Sequence, residues 1–264
     1  MCPEFEVFGF SFPTYGAVSF LGFWLCFALS FSLVKRRGVS PTDFLFTLIA
    51  AIAGLVAGSH LLYGLTRTEE IVQVIGNYGT FETFGDFISE VFRYFSGMVF
   101  YGGLYGMLFA GVMFAKWRKY PVRDICDIFA VLIPLFHAFG RVGCFFAGCC
   151  YGVRWQYGIS GRVIVADVRE YAKRLPVQLV EASLLLVLFV VLCLLFAKNK
   201  CRHNLLFIYL CTYAVLRFVL EFFRGDEIRG IWFGISTSQW ISILTILWVS
   251  VYLALRKKKN KSEI

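Results

Sequence analysis

The run HAFGRVGCFFAGCCYG, residues 137–152, ends a long apolar stretch with a histidine, an arginine and three cysteines. Each of these types can do chemistry. The Arg141 guanidinium is a planar fork of donors that matches phosphate or carboxylate oxygens. His137 titrates near neutrality and suits proton transfer. A thiol beside an imidazole or a guanidinium is a workable nucleophile. A second group, Tyr213, Arg217, Glu221 and Arg224, lies in YAVLRFVLEFFR. A third pair, Gln178 and Glu181, sits one turn apart in LPVQLVEA, behind Pro176, which is well placed to open a helix. Charges inside apolar runs are expensive and mark functional sites by default. Two blander readings stand beside this one. Arg217 and Glu221, four residues apart, can simply neutralise each other and pin helix packing. Gln178 and Glu181 can form an interfacial cap.

The elements that hold these residues are membrane spans. Of 264 residues, 59% are hydrophobic, 30 are phenylalanine and only 16% are charged; the mean hydropathy is +0.71. A soluble domain of this length cannot hide so much apolar surface, so the class is a polytopic membrane protein, one domain over 1–264. Seven stretches are long enough to cross: 14–34, 43–65, 96–115, 125–150, 176–197, 205–223 and 237–255. The basic clusters KRRG, KWRK, KNKCR and RKKKNK follow the first, third, fifth and seventh, while acids gather in the other loops. That pattern predicts an N-terminus outside and a C-terminus inside. The net charge of +9 is therefore topological. No basic face interleaved with aromatics is present, so nucleic acid is not an expected partner. The start MCPEFEV is acidic, and the first span runs into Lys35–Arg37, so that span reads as a retained signal anchor. Cys26, Cys126, Cys193 and Cys211 read as small hydrophobes within apolar runs, and Cys201 as a reduced thiol in a cytoplasmic loop. Segments 66–95 and 153–175 read as short amphipathic extracytoplasmic pieces, one of them expected to act as a head or acceptor region.

Depth sharpens the site. Arg141, Glu181, Arg217, Glu221, Tyr101, Tyr15 and His60 all map to the outer half of the bilayer. At about 100° per residue, His137, Arg141, Cys144 and Gly148 share one side of the fourth span. Tyr213, Arg217, Glu221 and Arg224 share one side of the sixth. Two arginines on facing stripes, with carboxylates between them, describe a small basic cavity in the outer leaflet. Phosphates at that depth belong to lipid headgroups, so an anionic phospholipid is the expected ligand. FYGGLYG, residues 100–106, keeps two readings: a small-residue packing seam, or a broken helix whose backbone amides meet a ligand. Cys144, Cys149 and Cys150 keep three. They are packing residues, or a disulfide of Cys144 with Cys149 or Cys150 if the helix breaks near Gly148, or a nucleophile carrying a covalent lipid intermediate.

Taken together, the motifs resemble one family, the prolipoprotein diacylglyceryl transferases. The family signature G-R-x-G-N-F-x-N-x-E-x-x-G is matched here by Gly140, Arg141, Gly143, Phe145 and Gly152. FYGGLYG is similar to its H-G-G-x-x-G through Gly102, Gly103 and Gly106. PVQLVEA resembles P-x-Q-L-x-E-A through Pro176, Gln178, Leu179, Glu181 and Ala182. YAVLRFVLEFFR resembles Y-x-x-x-R-F-x-x-E-x-x-R through Tyr213, Arg217, Phe218, Glu221 and Arg224. Ser236, Gln239 and Ser242 match S-x-x-Q-x-x-S, and Tyr15 an early Y-G segment. The departures fall near the chemistry. Tyr101 stands for the family histidine, Cys144 for the signature asparagine, Cys149 for its glutamate and His60 for an arginine of the second span.

The resemblance implies an all-α integral membrane protein of seven spans, N-out and C-in, with extracytoplasmic segments over an outer-leaflet cavity. It implies a transferase of the cytoplasmic membrane that moves diacylglycerol from phosphatidylglycerol to the lipobox cysteine of a prolipoprotein, releasing glycerol 1-phosphate. Arg141, Arg217, Glu221, Tyr101 and His137 are the expected catalytic residues. Tyr15, His60, Gly102, Gly103, Cys144, Cys149, Gly152, Gln178, Glu181, Tyr213 and Arg224 are the expected substrate contacts. No cofactor and no metal ion are expected. Tyr101 is a poor base, since a phenol titrates near about 10, so His137 and His60 each keep two readings, a replacement for the missing histidine or a hydrogen-bonded packing residue. The alternatives are a paralogue that uses the same phospholipid but a glycan or lipid acceptor, a membrane thiol oxidoreductase, and a lipid-binding protein without catalysis. The oxidoreductase reading lacks a C-x-x-C pair and leaves the buried arginines unexplained.

Overall fold

The computed structural model describes residues 4–7, 10–165, 168–225 and 231–262. The chain opens with β1 (Glu4–Val7) and β2 (Phe10–Pro13), then α1 (Thr14–Arg37), α2 (Pro41–Leu65), α3 (Thr68–Gly76), α4 (Phe84–Arg93), α5 (Phe100–Trp117) and α6 (Val122–Ala147). There follow β3 (Arg154–Val165), β4 (Val168–Arg174), α7 (Val177–Ala197), α8 (Leu205–Leu220), β5 (Ile231–Trp232), β6 (Ile235–Ser236) and α9 (Thr237–Ser262). The strands form three antiparallel pairs, β1 with β2, β3 with β4 and β5 with β6. The helical ends follow local chemistry. Ser40 caps α2 by accepting from the Asp43 amide at 3.5 Å, and Pro41 opens the helix. Lys35, Arg36 and Arg37 close α1, where cations suit the helix dipole.

Among the described residues, six helices are long and apolar enough to cross a membrane: α1, α2, α6, α7, α8 with the turn through Phe223, and α9 over Thr237–Lys258. The protein is thus an integral membrane protein. The third expected span corresponds to α5, which has 18 residues and is not one of the six. Its first two turns carry Tyr101, Tyr105 and three glycines, which dilute its apolar character.

The helices divide between two compact units, Val34–Ile125 and Met1–Leu33 with Cys126–Ile264. In the first unit α2 and α5 pack backbone to backbone. A methyl group at Gly54 would strike the Gly106 carbonyl, and one at Gly58 the Gly102 carbonyl; the reverse contacts are equally close. Only glycine permits this approach. Of the two readings of FYGGLYG, the geometry is that of a packing seam in an unbroken helix. The segment before α5 is tied back to α2: the Val99 amide donates to Ser59 O at 3.2 Å, and His60 Nδ1 lies 2.7 Å from Phe95 O. Between them α3 and α4 are short and amphipathic. Thr83 and Asp86 form a capping box on α4, and Phe87 meets Tyr78 and Phe81 edge-on and Phe84 at a tilt. Segment 66–95 therefore holds two short helices, as its composition suggests.

The core of the second unit is α6, α7 and α8, with Ile128, Val131, Leu185, Leu192, Leu205 and Tyr209 fully enclosed. Buried Asp127 on α6 accepts the amides of His203 at 2.7 Å and Leu205 at 3.1 Å, and so caps α8. Phe139 fills the space that Gly22 of α1 leaves open. On α9, Ser236 and Gln239 form a reciprocal box, with the Ser236 amide 3.0 Å from Gln239 Oε1 and the Gln239 amide 3.2 Å from Ser236 Oγ. The Ser236–Gln239 spacing is first of all a helix start.

Candidate active site

Three helices bring the charges together. Arg141 extends from α6, Glu181 from the second turn of α7, and Arg217 from the end of α8, with Glu221 in the turn that follows. Arg141 Nε lies 3.0 Å from Glu181 Oε2, and Arg217 Nη1 lies 3.9 Å from the same oxygen. Arg217 Nη2 reaches Glu221 Oε2 at 2.7 Å. The side chains are 9% (Arg141), 6% (Arg217) and 3% (Glu181) exposed, so these ions are all but removed from solvent. Tyr213 donates to Glu181 Oε1 at 3.2 Å, and His137 Nε2 stands 3.8 Å from that oxygen. The His137 ring meets Tyr213 edge-on at 5.0 Å, and Tyr209 stacks on Tyr213 at 6.0 Å.

Glu181 is the hub. From the sequence it reads as a residue near a helix mouth; in the fold it faces both arginines, the tyrosine and the histidine. Two guanidiniums and two carboxylates balance in charge, which is what makes the cluster tolerable in an apolar setting. The balance is not a full set of hydrogen bonds. Arg141 Nε and Arg217 Nη1 are buried and make no aligned hydrogen bond among the described residues, although a Glu181 oxygen lies near each. Both arginines keep donor capacity directed at the position of one carboxylate.

The surrounding residues are set by close backbone contacts. Gly152 forms a bridge with Arg224, and its amide donates to Leu175 O at 3.2 Å. A methyl group there would strike that carbonyl. Gln178 Nε2 donates to Cys149 O at 2.7 Å, tying α7 to the end of α6. The ring of Tyr15, near the start of α1, lies over Gly143, where a side chain would press on it. Cys144, Cys149 and Cys150 are not in disulfides, and Cys149 Sγ donates to Cys144 O at 3.7 Å. Tyr101, Gly102, Gly103 and His60 belong to the α2–α5 unit. There Tyr101 is buried and stacked on Tyr105 at 6.2 Å. The His60 contact is to a carbonyl, which only accepts, so Nδ1 is the donor there.

Two residues escaped the sequence reading. Ser238 accepts from Arg217 Nη2 at 3.3 Å, one residue before the motif glutamine. Arg174 is buried, lies 4.4 Å over the Tyr151 ring and donates to Gly152 O at 3.4 Å. Neither carries a signal in spacing. Arg174 sits in a segment that reads as surface, and 153–175 proves to be the β3–β4 hairpin. Its alternation in GRVIV was the available cue.

These features define a multi-pass membrane protein with an enclosed arginine–carboxylate cluster. A family model, prolipoprotein diacylglyceryl transferase, matches residues 4–255. The chain is 29% identical over 244 residues to the phosphatidylglycerol–prolipoprotein diacylglyceryl transferase of Clostridium tetani, covering 92% of each chain. It is 29% identical to transferase 2 of Clostridium perfringens, covering 98% of this chain and 96% of that one. It is 30% identical to the Helicobacter hepaticus transferase, covering 95% and 87%. The chain belongs to the prolipoprotein diacylglyceryl transferase family.

Proposed function

We propose that the protein moves diacylglycerol from phosphatidylglycerol to the lipobox cysteine of a prolipoprotein and releases glycerol 1-phosphate. One observation carries this reading: two buried arginines from different helices aim incompletely bonded donors at one oxygen site, now held by Glu181. A phosphodiester brought there takes those donors in the manner guanidinium favours. The acceptor sulfur attacks the glycerol carbon that bears the phosphate ester. The carbon–sulfur bond forms as the carbon–oxygen bond breaks, and the bonding pair leaves on the phosphate oxygen. Arg141 and Arg217 stabilise that growing charge in a dry setting, where preorganised donors act most strongly. Glu221 orients Arg217. The thiol proton passes to His137, a role supported by its place beside Glu181 and Tyr213.

The protein adopts seven spans, with α5 as the third, N-terminus out and C-terminus in, as the basic loops favour. It resides in the cytoplasmic membrane as a single polytopic domain, with the site toward the outer leaflet. The β3–β4 hairpin, anchored by Arg174 at Gly152, supplies the acceptor side. The test uses phosphatidylglycerol labelled separately in its acyl chains and headgroup, with a lipobox peptide. Acyl label on the peptide with labelled glycerol phosphate released supports the reading, as does its loss in Arg141→Gln. Lipid retained through the arginines without transfer to peptide points to another acceptor, a glycan or a lipid. No retention and no transfer overturns it.

A further inference from the structure

The end of α6 gathers three thiols by two separate backbone devices. The Gly148 amide donates to Phe145 O at 3.3 Å and the Cys149 amide to Cys144 O at 3.2 Å, with Gly148 left-handed at φ +76°. This is a Schellman ending, which brings the side chain two residues past the last turn onto the one that opens it. Here those two residues are Cys149 and Cys144. Cys150 then takes φ +56°, a conformation that costs a non-glycine residue on the order of 1–2 kcal/mol. The result is that all three sulfurs lie within 4.8 Å of one another, half-buried. Strain that aligns a third identical donor is poorly explained by packing.

We infer that Cys144, Cys149 and Cys150 form a binding site for a soft d10 metal ion, with Cu(I) the best match. Three thiolates bonded to one ion at about 2.3 Å stand about 4 Å apart, so modest adjustment suffices. Soft thiolate donors select Cu(I) or Zn(II) over harder ions. Zn(II) favours four ligands, and among the described residues the group holds three sulfurs and no imidazole or carboxylate. Each thiol releases a proton to solvent as its sulfur–metal bond forms, and no oxidation state changes. Three thiolates on Cu(I) carry two net negative charges. A bound ion stiffens the turn that presents Cys149 O to Gln178. The site shares Cys144 and Cys149 with the expected substrate contacts, and metal uptake is measured without lipid or peptide, so its failure is distinguishable from failure of the transfer reading.

The experiment uses the full chain in detergent, reduced and anaerobic, titrated with Cu(I) against a chromophoric Cu(I) chelator. One variant replaces Cys2, Cys26, Cys126, Cys193, Cys201 and Cys211 with serine and keeps the trio. The other replaces only Cys144, Cys149 and Cys150. The first is expected to take up one equivalent with a thiolate-to-copper charge-transfer band, and the second to lose that uptake. Cys150→Ser alone weakens affinity by at least tenfold. Thermal unfolding reports the same contrast in folded protein: Cu(I) raises the midpoint of the wild type and leaves the triple variant unmoved. Equal uptake by both variants overturns the inference. So does a trio that maps as a Cys144–Cys149 disulfide in reduced preparations and takes up no ion.

Discussion

The α6–α7–α8 region and the α2–α5 region both bring membrane helices together at unusual residues, by opposite means. In the first, long charged side chains meet: Arg141, Glu181, Arg217 and Glu221. In the second, side chains are absent, and Gly54, Gly58, Gly102 and Gly106 let backbones touch. The difference concerns what each contact can exchange. An ionic cluster that shares one carboxylate between two arginines can trade that partner for a ligand anion. A glycine seam has nothing to trade, because its neighbours are fixed carbonyls. The chain therefore places rigidity in α2–α5 and exchangeable charge in α6–α8.

Substitutions can break or sharpen that contrast. Arg217→Ala is expected to have the largest effect. It leaves Glu181 and Glu221 buried without their shared cation, at about 3–5 kcal/mol of stability, and lowers kcat/KM by about 10²–10³-fold. Thermal unfolding and the peptide assay read both; full activity in this variant would erase the distinction. Gly58→Val comes next. Overpacking against the Gly102 carbonyl is expected to cost about 1–3 kcal/mol, seen as a lower unfolding midpoint with an unchanged KM for lipid in the folded fraction. Tyr213→Phe removes one hydrogen bond to Glu181 and is expected to cost about 0.5–1.5 kcal/mol, with the fold kept by circular dichroism. Gly140→Ala has the smallest effect and the opposite sign. Beyond its chain neighbours and its own helix backbone, no atom of the described residues lies within 4 Å of a methyl group built there, so the usual mid-helix gain of about 0.5–1 kcal/mol is expected. A gain in stability with a loss of lipid binding would mark that space as part of the headgroup pocket.

Much of this was readable in the residues. Hydropathy located the long helices to within a few positions: the fourth expected span, 125–150, is α6 at Val122–Ala147. The polar stripes held for His137, Arg141 and Cys144 on α6 and for Tyr213 and Arg217 on α8, whereas Gly148, Glu221 and Arg224 lie past the helix ends; the break at Gly148 was only a condition attached to a disulfide. The role of Glu181 did not, because it arises from three helices meeting, and no period within one helix encodes that. The strand pairs were missed because length and charge were weighed over alternation, and 153–175 carries both signals. Ser238 and Arg174 were missed because their partners are distant in sequence. The seam at Gly102 and Gly106 was left open between packing and ligand because glycine spacing is the same for both.

The most direct test measures phosphatidylglycerol retained by the purified protein in native mass spectrometry. Wild type, Arg141→Gln and Gly58→Val are compared in the same detergent, each checked for a cooperative unfolding transition. Exchange at the arginine cluster predicts that wild type and Gly58→Val hold the lipid and that Arg141→Gln loses at least tenfold in retention. Equal retention by folded Arg141→Gln would contradict the claim that the buried arginines are where the lipid phosphate sits.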